Sequence, residues 1–169
     1  MYKMNPLDQT CCFTGHRILP VNEVAAILNR LDSFILPLIK HDVRFFWLGG
    51  ALGFDTLAAE HLLALKQQYP QIVICLALPF EGYRSRWSEA QKNRATQVDK
   101  QADKIIYCSR MPSKGAFLQR NKYMVDQSRY CIAYCNRNTG GTAYTLRYAQ
   151  QKGLTIQNTF PSKEQFTDV

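Results

Sequence analysis

Two hydrophobic periods alternate along the chain. Apolar runs at positions 10–14, 43–48, 72–78, 105–108, 130–134 and 154–156 predict strands, and the run at 72–78 is so uniformly apolar that both of its faces should be covered. Between the runs, apolar residues recur at intervals of three and four. Val24, Ile27, Leu28, Leu31, Ile35 and Leu38 predict an amphipathic helix that should end or kink near Pro37. After Asp55, Leu57, Ala58, His61, Leu62 and Leu65 predict a second helix. Positions 88–102 are helical in composition, opened by a Ser88/Gln91 capping box, with an apolar stripe so thin that the helix should pack loosely or face a ligand or partner. Positions 115–128 place Phe117, Leu118, Met124 and Val125 on an inner face together with Asn121, a polar group that needs either a neighbouring carbonyl or a ligand. Positions 142–152 form a last helix, closed by Gly153.

Strands alternating with helices predict an α/β fold: Rossmann-like and doubly wound, with a mostly parallel sheet and helices on both faces. One domain is expected over residues 1–160, and 161–169 reads as a loose tail. Ligands of such sheets bind beyond the carboxyl ends of the strands, where the loops 14–17, 49–55, 79–87 and 136–142 fall. These loops are rich in glycine, arginine and aromatic residues. His16 and Arg17 follow Gly15 at the end of the first strand, and Arg84 and Trp87 lie in the third loop.

Gly49, Gly50 and Gly53 join the second strand to its helix, where amides and a partial positive charge of about 0.5 attract anions. The turn is neither a G-x-G-x-x-G dinucleotide fingerprint, since Leu48 stands in place of the first glycine, nor a Walker loop. Asp55 is expected to cap this helix, or to accept a bond from a ligand hydroxyl or base. Glu60, five residues on, is turned about 140° away from it.

Composition narrows the classes. At 169 residues and 46% hydrophobic, the chain has the material for one core. It has no apolar stretch near the ~20 residues that span a bilayer and no signal-peptide core, so a cytoplasmic protein without a membrane partner is expected. The six cysteines and three histidines follow no metal-binding spacing; Cys131 and Cys135, about 13 Å apart along a strand, are too distant for a disulfide. Neither a metal nor a structural disulfide is expected. The net charge is +8, and residues 84–129 hold eleven basic and four acidic residues, suited to a solvated surface or to phosphates.

Taken in order, CFTGHR, LGGALGFDTLAAE, LPF followed by Trp87, RNKYMVDQS and TGGTAYTLRYAQQKG resemble the YpsA/YspA-like family of the SLOG superfamily, which includes the LOG phosphoribohydrolases and the DNA-binding DprA proteins. The resemblance runs from Cys11 to about Ile156. It implies a nucleotide pocket, with family positions at Gly15, Arg17, Gly50, Gly53, Asp55, Glu60, Arg120, Asp126, Gly140, Gly141 and Thr142. Asn121 joins them as a candidate from its place on the inner helix face. LOG enzymes resemble this chain through a PGGxGT loop followed by a catalytic glutamate. Here Thr139 replaces the proline and TGGTAYTLRYA contains no carboxylate, leaving Glu60 and Asp55 as the catalytic candidates and enzyme activity open. The function expected first is binding, or sensing, of a nucleotide-derived small molecule. The alternatives are a nucleoside 5′-monophosphate phosphoribohydrolase and a single-stranded DNA binder, the latter drawing on the basic segment with Tyr83 and Trp87. Homo-oligomerisation is left open.

Overall fold

Strand β1 (Thr10–Gly15) shows how the sheet is built: Cys11 and Phe13 point into one apolar core while Cys12 points into another on the opposite face. The computed structural model, which describes residues 5–161, repeats this alternation in β2 (Phe45–Leu48), β3 (Val73–Leu78) and β5 (Tyr130–Tyr134). Phe46, Leu48, Ile74, Leu76, Ile132 and Tyr134 join the larger core; Trp47, Cys75, Ala77 and Cys131 join the smaller. A period of two with both sets buried is why these strands read as continuous apolar runs. The edge strands β4 (Lys104–Tyr107) and β6 (Thr155–Asn158) are short and more exposed.

All five strand pairings are parallel, in the order β4-β3-β2-β1-β5-β6. Helices α1 (Val24–Lys40), α2 (Phe54–Lys66) and α3 (Glu89–Gln101) contribute to the larger core, and α4 (Ala116–Asp126) and α5 (Gly141–Gln151) to the smaller. Layers on both faces make the fold Rossmann-like and doubly wound, as the alternation predicts. Helix α1 runs through Pro37 and stops within a turn of it, where the His41 amide bonds back to the Pro37 carbonyl. The Ser88/Gln91 capping box opens α3, which buries only Ala95 and Val98. Of the tail expected at 161–169, positions 162–169 lie outside the described residues.

The strand order reverses between β1 and β5, so the helices leaving the carboxyl ends of the two strands diverge to opposite faces and leave a crevice. Among the described residues, no helix is long and apolar enough to cross a membrane, and no cluster of His, Cys, Asp and Glu could hold a metal ion.

Candidate functional site

A cleft of about 350 Å³ opens at this crevice. Gly15, His16 and Arg17 reach it from the end of β1, Ala51 and Asp55 from the β2–α2 turn, Phe117, Arg120 and Asn121 from α4, and Arg137, Gly140, Gly141 and Thr142 from the β5–α5 loop. Three guanidiniums therefore face one carboxylate.

Arg120 is the centre of the arrangement. It is only 4% exposed, with Nε donating to the Asn121 side-chain oxygen (2.7 Å) and Nη1 to the Gly49 carbonyl. Its Nη2 has no hydrogen-bond partner among the described residues, yet no buried side-chain nitrogen there is left unpartnered, so Nη2 keeps access to solvent, and Arg120 lines both the cleft and a side slot. Burial lowers the Arg120 pKa from its usual value, opposed by the charge of Asp55. A guanidinium nonetheless stays protonated in a protein. Asn121 completes the link by donating to the Thr145 hydroxyl (2.9 Å), which fastens α4 to α5; of the two expected partners, a neighbouring carbonyl is replaced by this hydroxyl, while the residue also lines the cleft where a ligand would lie.

Asp55 is not the cap of α2; Gly53 occupies that position, with φ 75°. The Asp55 Oδ2 instead accepts from the amides of Gly49 (3.1 Å) and Ala51 (3.3 Å), so the carboxylate ties the glycine turn together from within. Burial raises its pKa, against the pull of Arg120, the two amides and Arg17. The turn fits only glycine where the backbone crowds. A Cβ at Gly53 would strike the carbonyls of His16 and Arg17, and one at Gly49 would meet Arg120 and Asp55. These glycines shape the wall behind the cleft and do not themselves line it.

At the α5 end the situation differs. Gly140 has φ 93°, no side chain caps the helix, and a Cβ at Gly141 would meet nothing within 4 Å. The first amides of a helix have no partner within it, and here they face open space beside Arg17, Arg120 and Arg137.

His16 holds the two halves of the cleft in register. Its Nε2 accepts from the Asn136 amide (3.1 Å), and its ring meets Tyr134 edge to face with centroids 5.8 Å apart. Burial, followed by the charge of Arg137, lowers its pKa.

Other candidates stand elsewhere. Arg84 is turned away from the cleft, ion-paired with Asp99 of α3 and donating to the Tyr83 hydroxyl, which in turn donates to the Gly50 carbonyl (2.6 Å); it braces the back of the glycine turn. Glu60 forms a two-pronged pair with Arg94 of α3 (2.5 and 2.6 Å) and does not line the cleft. Asp126 accepts from the Tyr148 hydroxyl (2.8 Å) and pairs with Lys152, also away from it. Trp87 borders a side slot rather than the cleft itself. Arg137 and the cleft-facing position of Phe117 were not anticipated. Arg137 could have been found, since it lies in the NRNTGGT loop assigned to the carboxyl ends, whereas Phe117 shares its helical face with Met124 and is separated from it only by lying in the first turn of α4, which overhangs the cleft.

The model of the YspA SLOG family (YpsA) matches residues 13–162, which include every residue that lines the cleft among those described. The chain belongs to this family. Its relatives include the SPbeta prophage-derived protein YoqJ of Bacillus subtilis, 30% identical over 76% of this chain and 83% of that one. A UPF0398 protein of Halalkalibacterium halodurans is 29% identical over 76% and 70%, respectively. Among solved structures, the family fold extends to DNA processing protein A of Helicobacter pylori, with TM-score 0.62 at 20% identity over 92% of this chain and 68% of that one. The Streptococcus pneumoniae protein of the same name gives 0.63 at 16%, over 88% of this chain. The chain spans about half the length of the latter, 49%.

Proposed function

We propose that the cleft binds the phosphate of a nucleotide-derived ligand and acts as a sensor of that ligand. The supporting observation is Arg120: a buried guanidinium, fixed on two sides, that lines the same cleft as the uncapped start of α5. Charge-assisted bonds from such a group are about twice as strong as neutral ones, and its fixed position limits the ordering cost on binding. The site is suited to binding more than to hydrolysis of an N-glycosidic bond. Asp55, the one carboxylate lining the cleft among the described residues, is occupied by two amides, and Glu60 is engaged with Arg94. Loss of general acid–base help, typically ~10²- to 10⁴-fold, leaves turnover near background.

Gly141→Asp tests this reading. A Cβ at this position meets no neighbour within 4 Å, and an acid in the first turn of a helix is favourable, so the variant should melt at or above the wild-type temperature. Its carboxylate occupies the position of the phosphate. In thermal shift titrations with nucleoside 5′-monophosphates, the wild type should gain about 2.7 kcal/mol at a hundred times the dissociation constant, and the variant should gain nothing. Equal shifts in both proteins would overturn the proposal.

A second reading is binding of single-stranded DNA. It is favoured by the shared fold with DNA processing protein A, of which the Helicobacter pylori protein is described by its single-stranded DNA binding mode.

A further inference from the structure

Beside the cleft lies a connected set of aromatic rings. Phe80 meets Phe117 edge to face at 5.7 Å and Tyr83 at 6.3 Å, and Tyr83 meets Trp87 at 5.6 Å between ring centroids. Tyr83, Trp87 and Phe117 line a slot of about 60 Å³ that shares Arg17, Ala51, Phe117 and Arg120 with the main cleft. The slot is too small for a heterocyclic base as it stands. Arg17 lies along it, with its guanidinium over the Phe117 ring, 5.3 Å from the centroid.

Arg17 is exposed and, among the described residues, its side chain has neither a hydrogen-bond partner nor an ion pair. A cation–π contact, together with the longer-range attraction of Asp55, holds it over the ring, and cation–π contacts are weak at exposed sites. A phosphate at the start of α5 offers this guanidinium a charge-assisted partner, which is the stronger interaction. Arg17 is therefore poised to leave Phe117 when the cleft fills. Its departure removes the mobile one of two guanidiniums over Phe117, the other being the fixed Arg120 at 5.9 Å, in a slot that Trp87 also lines, and a π-face of that kind accepts any nucleobase.

We propose that the ligand is a nucleotide lying across the cleft, its phosphate at Gly141 and its base on Phe117 against Trp87, in the place that Arg17 now covers. This rests on the proposed phosphate site and adds a base subsite to it. Arg17 couples the two, because it moves toward the phosphate as it releases the ring. A ligand without a base fills only half of the site.

The chain has two tryptophans, and Trp47 lies in the core, edge to face with Tyr123 at 5.5 Å, so a Trp47→Phe protein reports Trp87 alone. Adenosine, guanosine, cytidine and uridine 5′-monophosphates are compared with ribose 5-phosphate and inorganic phosphate by tryptophan emission and by affinity. At least one nucleotide should quench Trp87 and bind about tenfold or more tighter than ribose 5-phosphate, in line with the stacking contribution of a base. In Trp87→Leu this advantage should collapse. The affinity comparison in wild-type protein needs no substitution, so it stands even if Trp47→Phe fails to fold. Nucleotides and ribose 5-phosphate binding equally, with Trp87 emission unchanged, would overturn the base subsite and leave the phosphate site standing. No binding by any of the six would overturn both.

Discussion

One ring nitrogen of His16 is taken by the fold. Because Nε2 accepts the Asn136 amide, the proton of the neutral ring must sit on Nδ1, and the doubly protonated ring has no lone pair left for that bond. The bond joins the end of β1 to the loop that leads into α5, so protonation loosens the anion-binding half of the cleft. The lowered pKa fixes the sign. Between the folded value and the ordinary value of about 6.5, the unfolded chain binds more protons than the folded one, so this contribution is complete above about pH 6.5 and is lost as pH falls through the folded value. The melting temperature of the ligand-free wild type should therefore fall on acidification below about pH 6.5, and in His16→Asn that part of the decline should be missing. Parallel pH profiles for the two proteins would show that the Asn136 bond carries no proton linkage.

Helices α2 and α3 show how an acid suggested by resemblance becomes part of the scaffold. Glu60 reaches across to Arg94 on a largely exposed surface, where ion pairs contribute about 1 kcal/mol or less. Glu60→Gln should change stability by no more than that and leave the nucleotide-induced thermal shift at its wild-type size. A strongly reduced shift would place Glu60 in the ligand's path. The same helix pair separates what the sequence makes legible from what it hides. Period and punctuation are local, so the strands, the Ser88/Gln91 box and both glycine turns are readable within a residue or two of their bounds. The partner of a charged side chain is not local. Arg84 looks like a ligand residue until Asp99, fifteen positions on, is brought beside it by α3. Asp55 looks like a cap because it stands near a helix start, but Gly53 in a left-handed conformation starts α2 two residues earlier and turns the carboxylate back under the loop.

For the molecule as a whole, the net charge of +8 invites nucleic acid, and the arrangement of pairs limits how much of it is available. Within the basic segment 84–129, Arg84, Lys92 and Arg94 are paired with Asp99, Glu89 and Glu60. Arg86, Lys100, Arg110 and Lys114 are exposed and have no ion-pair partner among the described residues. If these four contact the backbone of a single strand, the logarithm of the binding constant should fall against the logarithm of salt with a slope of about −0.7 per phosphate, or roughly −2.8 in total. Between 50 and 200 mM salt that is a loss of about 50-fold for an oligothymidylate, measured by fluorescence anisotropy. A nucleotide held in the cleft by buried Arg120 and the start of α5 is screened much less, because its partners are shielded from the ions. The two ligands should thus separate by salt: strand binding collapses while the nucleotide-induced thermal shift persists. An oligothymidylate that binds tightly with a slope near zero, and is displaced by nucleoside 5′-monophosphate, would mean that the strand itself occupies the cleft, and DNA would then be the ligand for which the site is built.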